Sequence, residues 1–204
     1  MGRREAAPSG GQDALIALIQ AKALAELGDA AGLLGSPRPW RGEPFSALAF
    51  VVSGLSEEAG AAEPLRGAPG EAADKAAAAL GVDPANVFVV ASRRGGASDE
   101  ERSHGLALAI EAADPRVVIA LDGLAAADLA AAFGAEPMDV GVPVRALGRV
   151  LGWAGEFAES LAGTAAKAPV WNAMKTIAAE GGLQAKSSPK VRRGGPSDPA
   201  QPDG

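Results

Sequence analysis

The sequence predicts a three-layer α/β/α sandwich built on a central, mostly parallel four-stranded sheet. Four short runs are apolar almost throughout: "ALAFVV" (47–52), "VFVV" (87–90), "RVVIAL" (116–121) and "GRVLGWA" (148–154). A strand without polar alternation is buried on both faces. Ala-rich stretches of helical length, closed by glycine, lie between them, and strands alternating with helices build parallel sheets through right-handed crossovers. Composition agrees with one domain and two tails. The 204 residues are 48% hydrophobic but only 4% aromatic, so the core must be close-packed Ala, Val and Leu with few large anchors.

Taken in chain order, residues 1–10 are rich in Gly, Pro and charge and are expected to be disordered. "QDALIALIQAKALAELGDAAGLLG" places Leu15, Leu18, Ile19, Ala23 and Leu27 at helical spacing, with Gly35 as its stop. "SPRPWRGEP" (36–44) breaks the chain before the first strand. The second helix is "GEAADKAAAALG" (70–81), followed by the turn "VDPAN". The third spans 98–113, with Ser98 and Glu101 at capping-box spacing. Residues 123–134 and 168–180 complete the helices. The single domain is therefore placed at 11–180. The Gly/Pro-rich tail, 181–204, is expected to be disordered; its Lys186, Lys190, Arg192 and Arg193 form either a nucleic-acid arm or a solvated charge cluster.

Several chemistries are excluded by residue counts. No cysteine is present, which rules out disulfides, thiolate metal sites and Cys-ligated iron–sulfur clusters. The single histidine, His104, falls inside a predicted helix, the place of an ordinary surface residue. The net charge of −6 gives no general attraction to nucleic acid or anionic lipid. No apolar run reaches membrane-spanning length and "MGRREAAPSGGQ" lacks a signal-peptide core, so a cytoplasmic protein without membrane association or cofactor is expected. Neither a phosphate-binding P-loop, a dinucleotide fingerprint after a strand, nor a G-x-S-x-G elbow occurs.

Ligands of such folds sit at the C-terminal strand ends. That rule selects Ser53–Glu58, Ala91–Arg94, Asp122–Gly123 and Trp153–Glu156 as candidate site segments. Glu57 and Glu58 form a carboxylate pair after the first strand, readable as an acid–base pair or as a solvated loop. Arg93 and Arg94, followed by Gly95 and Gly96, offer guanidinium groups and backbone amides to a phosphate.

Three segments, in order, resemble the uracil-DNA glycosylase superfamily, particularly its thermostable bacterial and archaeal family 4/5 branch; the likeness runs from about residue 46 to 178. "PLRGAPGEAADKAAAALGVDPANVFVV" (64–90) is similar to that family's Gly-Arg-Pro-Phe-x-Gly turn, helix and strand. "DPRVVIALDGLAAADLAAAFG" (114–134) resembles its third strand with an Ala-rich helix, and "ESLAGTAAKAPVWNAMKTI" (159–177) its closing Trp-x-x-hydrophobic-Lys helix. The resemblance implies a base-excision pocket, yet the residues expected to do the chemistry differ. Val52 or Ser53 stands where the family has its catalytic acid, and Leu65 stands where a phenylalanine stacks on the flipped base. Val90, Ala91 or Ser92 replaces the asparagine that reads the uracil edge, and Glu156 takes the histidine's place.

Losing acid, stacker, base reader, histidine and the four cluster cysteines together implies that uracil excision is gone. The expected role is a catalytically degenerate glycosylase-like protein acting as a DNA-binding or protein-docking module in repair or replication. Non-enzymatic use of the fold has a precedent in the psi subunit of the bacterial clamp loader. DNA contacts would come from Ser53, Gly54, Leu65, Arg66, Gly67, Gly70, Arg93, Arg94 and Gly123, with no metal. Two alternatives stand beside this reading: an active glycosylase of altered specificity using Glu57, Glu58 or Glu156, and an unrelated α/β domain binding a small ligand at the strand ends.

Overall fold

All four apolar runs become neighbouring strands of one mixed sheet. The computed structural model describes residues 10–36, 38–54, 63–93 and 97–185. Expectations for residues 1–9, Glu57, Glu58, Arg94 and the tail cations from Lys186 onward lie outside them. In chain order the elements are α1 (Gly10–Leu33), β1 (Trp40–Arg41), β2 (Leu48–Val52), α2 (Gly67–Ala79), β3 (Phe88–Ala91), α3 (Asp99–Ala113), β4 (Val117–Ala120), α4 (Gly123–Phe133), β5 (Val144–Ala146), β6 (Arg149–Trp153), α5 (Phe157–Ser160) and α6 (Thr164–Glu180).

Strand order is β1-β3-β2-β4-β6-β5. The inner four, β3-β2-β4-β6, are parallel, and β1 and β5 pair antiparallel at the two edges. Six strands, not the expected four, therefore make up the sheet. Both additions are too short to carry a hydrophobic run. β1 is two residues inside a Pro/Gly-rich segment, and β5 is three residues turned back onto β6. The link between β5 and β6 is Leu147–Gly148, with φ of 47° and 81°. Positive φ at both central residues is the type I′ hairpin geometry that Asn-Gly normally signals.

Helices cover both faces. Leu48, Phe50 and Val52 of β2 pack with α2 and α6 residues such as Ala73, Ala77, Met174 and Ile177. Ala49 and Val51 point the other way, toward Leu27, Leu106, Ile110 and Leu129 of α1, α3 and α4. One strand thus feeds two cores, which explains why its sequence shows no polar alternation. The capping box forms as expected: Glu101 N donates to Ser98 Oγ at 3.2 Å, and Ser98 N donates to Glu101 Oε2 at 2.8 Å. His104 is exposed on α3.

α5 is a short helix that was not expected, and α1 and α6 also differ from their expected forms. α6 begins at Thr164 rather than 168, and Pro169 sits inside it. A proline near a helix start costs mainly one carbonyl partner, here that of Ala165, and so does not stop the helix. In α1 only part of the expected apolar stripe meets the body: Ala23 and Leu27 are buried, whereas Leu15, Leu18 and Ile19 are exposed. Among the described residues no helix is long and apolar enough to cross a membrane.

Leu147 is 71% exposed, so its side chain contributes little packing while its backbone is left-handed. Leu147→Asn should therefore stabilise the fold by about 1 kcal/mol. Thermal unfolding should show Tm higher by roughly 2–4 °C, and an unchanged or lower Tm would contradict the turn assignment.

Candidate functional site

β2 and β4 lie side by side as far as the pair Val51 and Ala120, and there their chains part. The chain after β2 goes to α2 on one face of the sheet, and that after β4 goes to α4 on the other. Divergence of this kind opens a crevice at the carboxyl ends of the strands. A cleft of about 330 Å³ lies there, bounded by Ser53 and Gly54 after β2, Leu121 and Asp122 after β4, and Glu156 and Phe157 after β6. Leu65 and Pro69 close it from the α2 side.

Asp122 and Glu156 of this cleft are bonded to main-chain amides at its edge. Asp122 Oδ2 accepts from the Ser53 amide at 2.8 Å, and its Oδ1 accepts from the Ala125 amide at 2.8 Å. A single carboxylate thus ties the end of β2 to the first turn of α4, acting as that helix's N-cap. The next amide, Gly123 N, donates to Glu156 Oε1 at 2.9 Å. Phe157 N donates to Leu121 O at 2.9 Å, which fixes the loop after β6 beside β4. With Glu159, the cleft holds three carboxylates, and among the described residues no Lys, Arg or His lines it.

Leu65 is buried, with φ of 58°, and packs into the core under α2 as well as against the cleft. Its carbonyl lies where a Cβ on Gly70 would sit, so the turn and the start of α2 require glycine there. Gly67 opens α2 as its exposed first residue, three positions before the expected start. Arg66 points away from the cleft and donates through Nε to Glu63 Oε2 at 2.9 Å. That bond, with the Arg66 charge, holds the Glu63 carboxyl below its usual range.

Arg93 lies on the other side of the sheet. Its Nε donates to Asp128 Oδ2 at 2.7 Å and its terminal nitrogen to Asp128 Oδ1 at 2.8 Å, a bidentate pair with α4. The buried Ser92 hydroxyl also donates to Asp128 Oδ2, at 2.7 Å. Burial pushes the Asp128 carboxyl up. Hydrogen bonds from Arg93 and Ser92, with the charges of Arg93 and Arg102, outweigh this and hold it below its ordinary value.

The structure therefore brings Ser53, Gly54, Leu65 and Glu156 to one cleft, with Gly123 at its edge, and leaves Arg66 and Arg93 outside it. Glu57, Glu58 and Arg94 lie outside the described residues. Sequence reasoning marked Asp122–Gly123 as a strand-end candidate segment, with Gly123 as a DNA contact, gave Asp122 no structural role and missed Asp128. An aspartate directly before an Ala-rich helix is an N-cap signal, so one bond of Asp122 was readable. Its bond to Ser53, 69 positions away, was not, because only the sheet brings them together. No protein-family model and no curated protein matches this chain, so the likeness to the glycosylases rests on the residues that carry it.

Replacing Asp128 by alanine strands the buried Ser92 hydroxyl and unpairs Arg93, which should cost about 1–3 kcal/mol in denaturant unfolding. The carboxyl is held below 3.8 in the folded state, so its contribution is complete above that pH and is lost as pH falls through the depressed value. The stability gap between Asp128→Ala and the parent should thus be constant from pH 5 to 8 and shrink below about 3.8. A gap that widens on acidification would refute the assignment.

Proposed function

We propose that this chain is a catalytically degenerate protein of glycosylase-like fold that works as a docking module and engages a protein partner rather than a nucleic-acid strand. The observation that carries this reading is the state of the α4 N-terminus. A helix start at a strand-end crevice is the natural anion site of such folds, since its amides point outward and its dipole favours negative charge. Here Asp122 takes the Ala125 amide and Glu156 takes the Gly123 amide. The protein's own carboxylates fill the position that a phosphate would need, and Glu159 adds a third negative charge beside them.

The remaining chemistry points the same way. Val90 and Ala91 are buried in the sheet and the Ser92 hydroxyl is committed to Asp128, so none of the three offers a base-reading group. Leu65 supplies no aromatic face for a flipped base. Of the arginines expected to hold phosphate, the two among the described residues are engaged elsewhere, Arg66 with Glu63 and Arg93 with Asp128. Glu156 stands where the resemblance places the histidine that steadies an anionic leaving base, and a carboxylate opposes that charge. A repair or replication protein is the partner class that the resemblance implies.

Incubation with oligonucleotides carrying uracil, hypoxanthine or a mismatch, followed by alkaline cleavage, should give no strand scission above background. Scission that disappears in Glu156→Gln would establish an active glycosylase and overturn the proposal. Anisotropy titrations with single- and double-stranded DNA should likewise show no salt-sensitive binding between about 50 and 200 mM salt. An affinity that collapses over that range and is weakened by Arg93→Ala would assign the module to DNA instead.

A further inference from the structure

A second concavity lies beside the cleft, between α2 and α6, with a volume of about 480 Å³. Its floor is apolar: Phe157 and Met174 are buried beneath it, and Leu161, Val170 and Trp171 remain partly exposed. One wall is the stripe Ala68, Ala72 and Ala76, three small residues one turn apart on α2, over which another backbone can approach closely. The rim is basic. Lys75 rises from the α2 side and Lys167 from the first turns of α6, and Lys175 Nζ stands 5.7 Å from the centroid of the Trp171 ring.

The geometry points to this groove as the docking site for an amphipathic helical segment of a partner protein, its apolar face flanked by carboxylates. A trough between two helices with an aromatic anchor matches helix-in-groove recognition, in which large side chains at i, i+3 or i+4 and i+7 enter the floor. Trp171, only partly buried, is the residue type that most often dominates such contacts. The rim decides the sign of the flanks. Among the described residues Glu71 is the one acidic residue lining the groove, and it meets Lys75 only as an exposed pair at 3.9 Å, which an incoming carboxylate displaces. Among the described residues no carboxylate lies within salt-bridge distance of Lys167 or Lys175. Complementary charge across the rim would set partner choice and encounter rate more than affinity. This inference rests on reading the chain as a docking module.

Two synthetic helical peptides of about five turns, with the same Leu/Phe face and flanks of all Glu or all Lys, provide the probe. In fluorescence-anisotropy titrations against the full chain, the Glu-flanked peptide should bind at least about tenfold more tightly. Trp171→Ala should weaken it by about tenfold or more, with circular dichroism verifying the fold. Lys167→Glu, an exposed change, should remove or reverse the preference between peptides. Equal affinities for the two peptides, indifference to Lys167→Glu, or no saturable binding up to about 1 mM would each overturn the assignment. Self-association that is abolished by Leu18→Glu and blocked by the peptide would overturn it too, in favour of a second copy in the groove. A failed titration without strand scission or DNA binding removes the groove alone, whereas scission removes the docking reading itself.

Discussion

The Asp122 carboxylate joins the parts of this protein that its topology drives apart. Parallel strands β2 and β4 share a ladder only to Val51 and Ala120, after which their chains turn to opposite faces of the sheet. The Ser53 amide is left without a strand partner, and the first amides of α4 have no carbonyl four residues back. Asp122 accepts from Ser53 and from Ala125, and Glu156 accepts from Gly123. Two side chains thereby satisfy three main-chain donors at the point where an open α/β sheet is weakest. The cleft depends on these bonds, because they determine both the shape of its floor and the charge left on it.

The same donors explain why the cleft differs from a phosphate site of similar shape. An anion at a helix start is held by amides whose alternative partner is water. At α4 the alternative partner is a built-in carboxylate tethered by the chain, so a phosphate would have to displace a negative group while entering a negative field. Asp128 does the comparable thing for Arg93 on the other face. It turns a strand-end cation into a strut between β3 and α4, with Ser92 as a third member. Among the described residues, Asp122, Glu156, Arg93 and Asp128 near the strand ends are all bonded within the fold.

How much of this the sequence reveals depends on the range of each interaction. The inner strands were readable because burial on two faces needs apolar residues at every position, as in Leu48 to Val52, packed into both cores. The Ser98 capping box was readable because its partners are three residues apart. β1 and β5 were not, since two or three residues carry no periodicity and the Leu147–Gly148 turn lacks the asparagine that marks its type. The exposed half of α1 misleads for the opposite reason: Leu15, Leu18 and Ile19 have core spacing but extend past the body they would cover. At the site, residue positions along strand ends were legible, whereas the state of each side chain was not. Arg93 reads as a phosphate ligand until Asp128, 35 positions on, is seen to hold it.

A fold whose cleft carboxylates are bonded to its own amides is braced at the strand ends as a rigid frame. Core packing in this chain is carried by Ala, Val and Leu at close range, and such packing leaves little room for adjustment when a neighbour moves. On the proposed docking reading, recognition would come from surface that the core does not consume. Trp171 and Leu161 are apolar, only partly buried, and sit in a trough whose rim residues outnumber their local partners. The cleft meets the start of α2 at Pro69, and the trough runs beside it along the same helix from Ala68 to Ala76. Phe157 lines both, so the loop that fixes the cleft beside β4 also sets the depth of the trough. Any partner seated against Trp171 would therefore rest on a floor whose position is fixed by the backbone bond from Phe157 to Leu121.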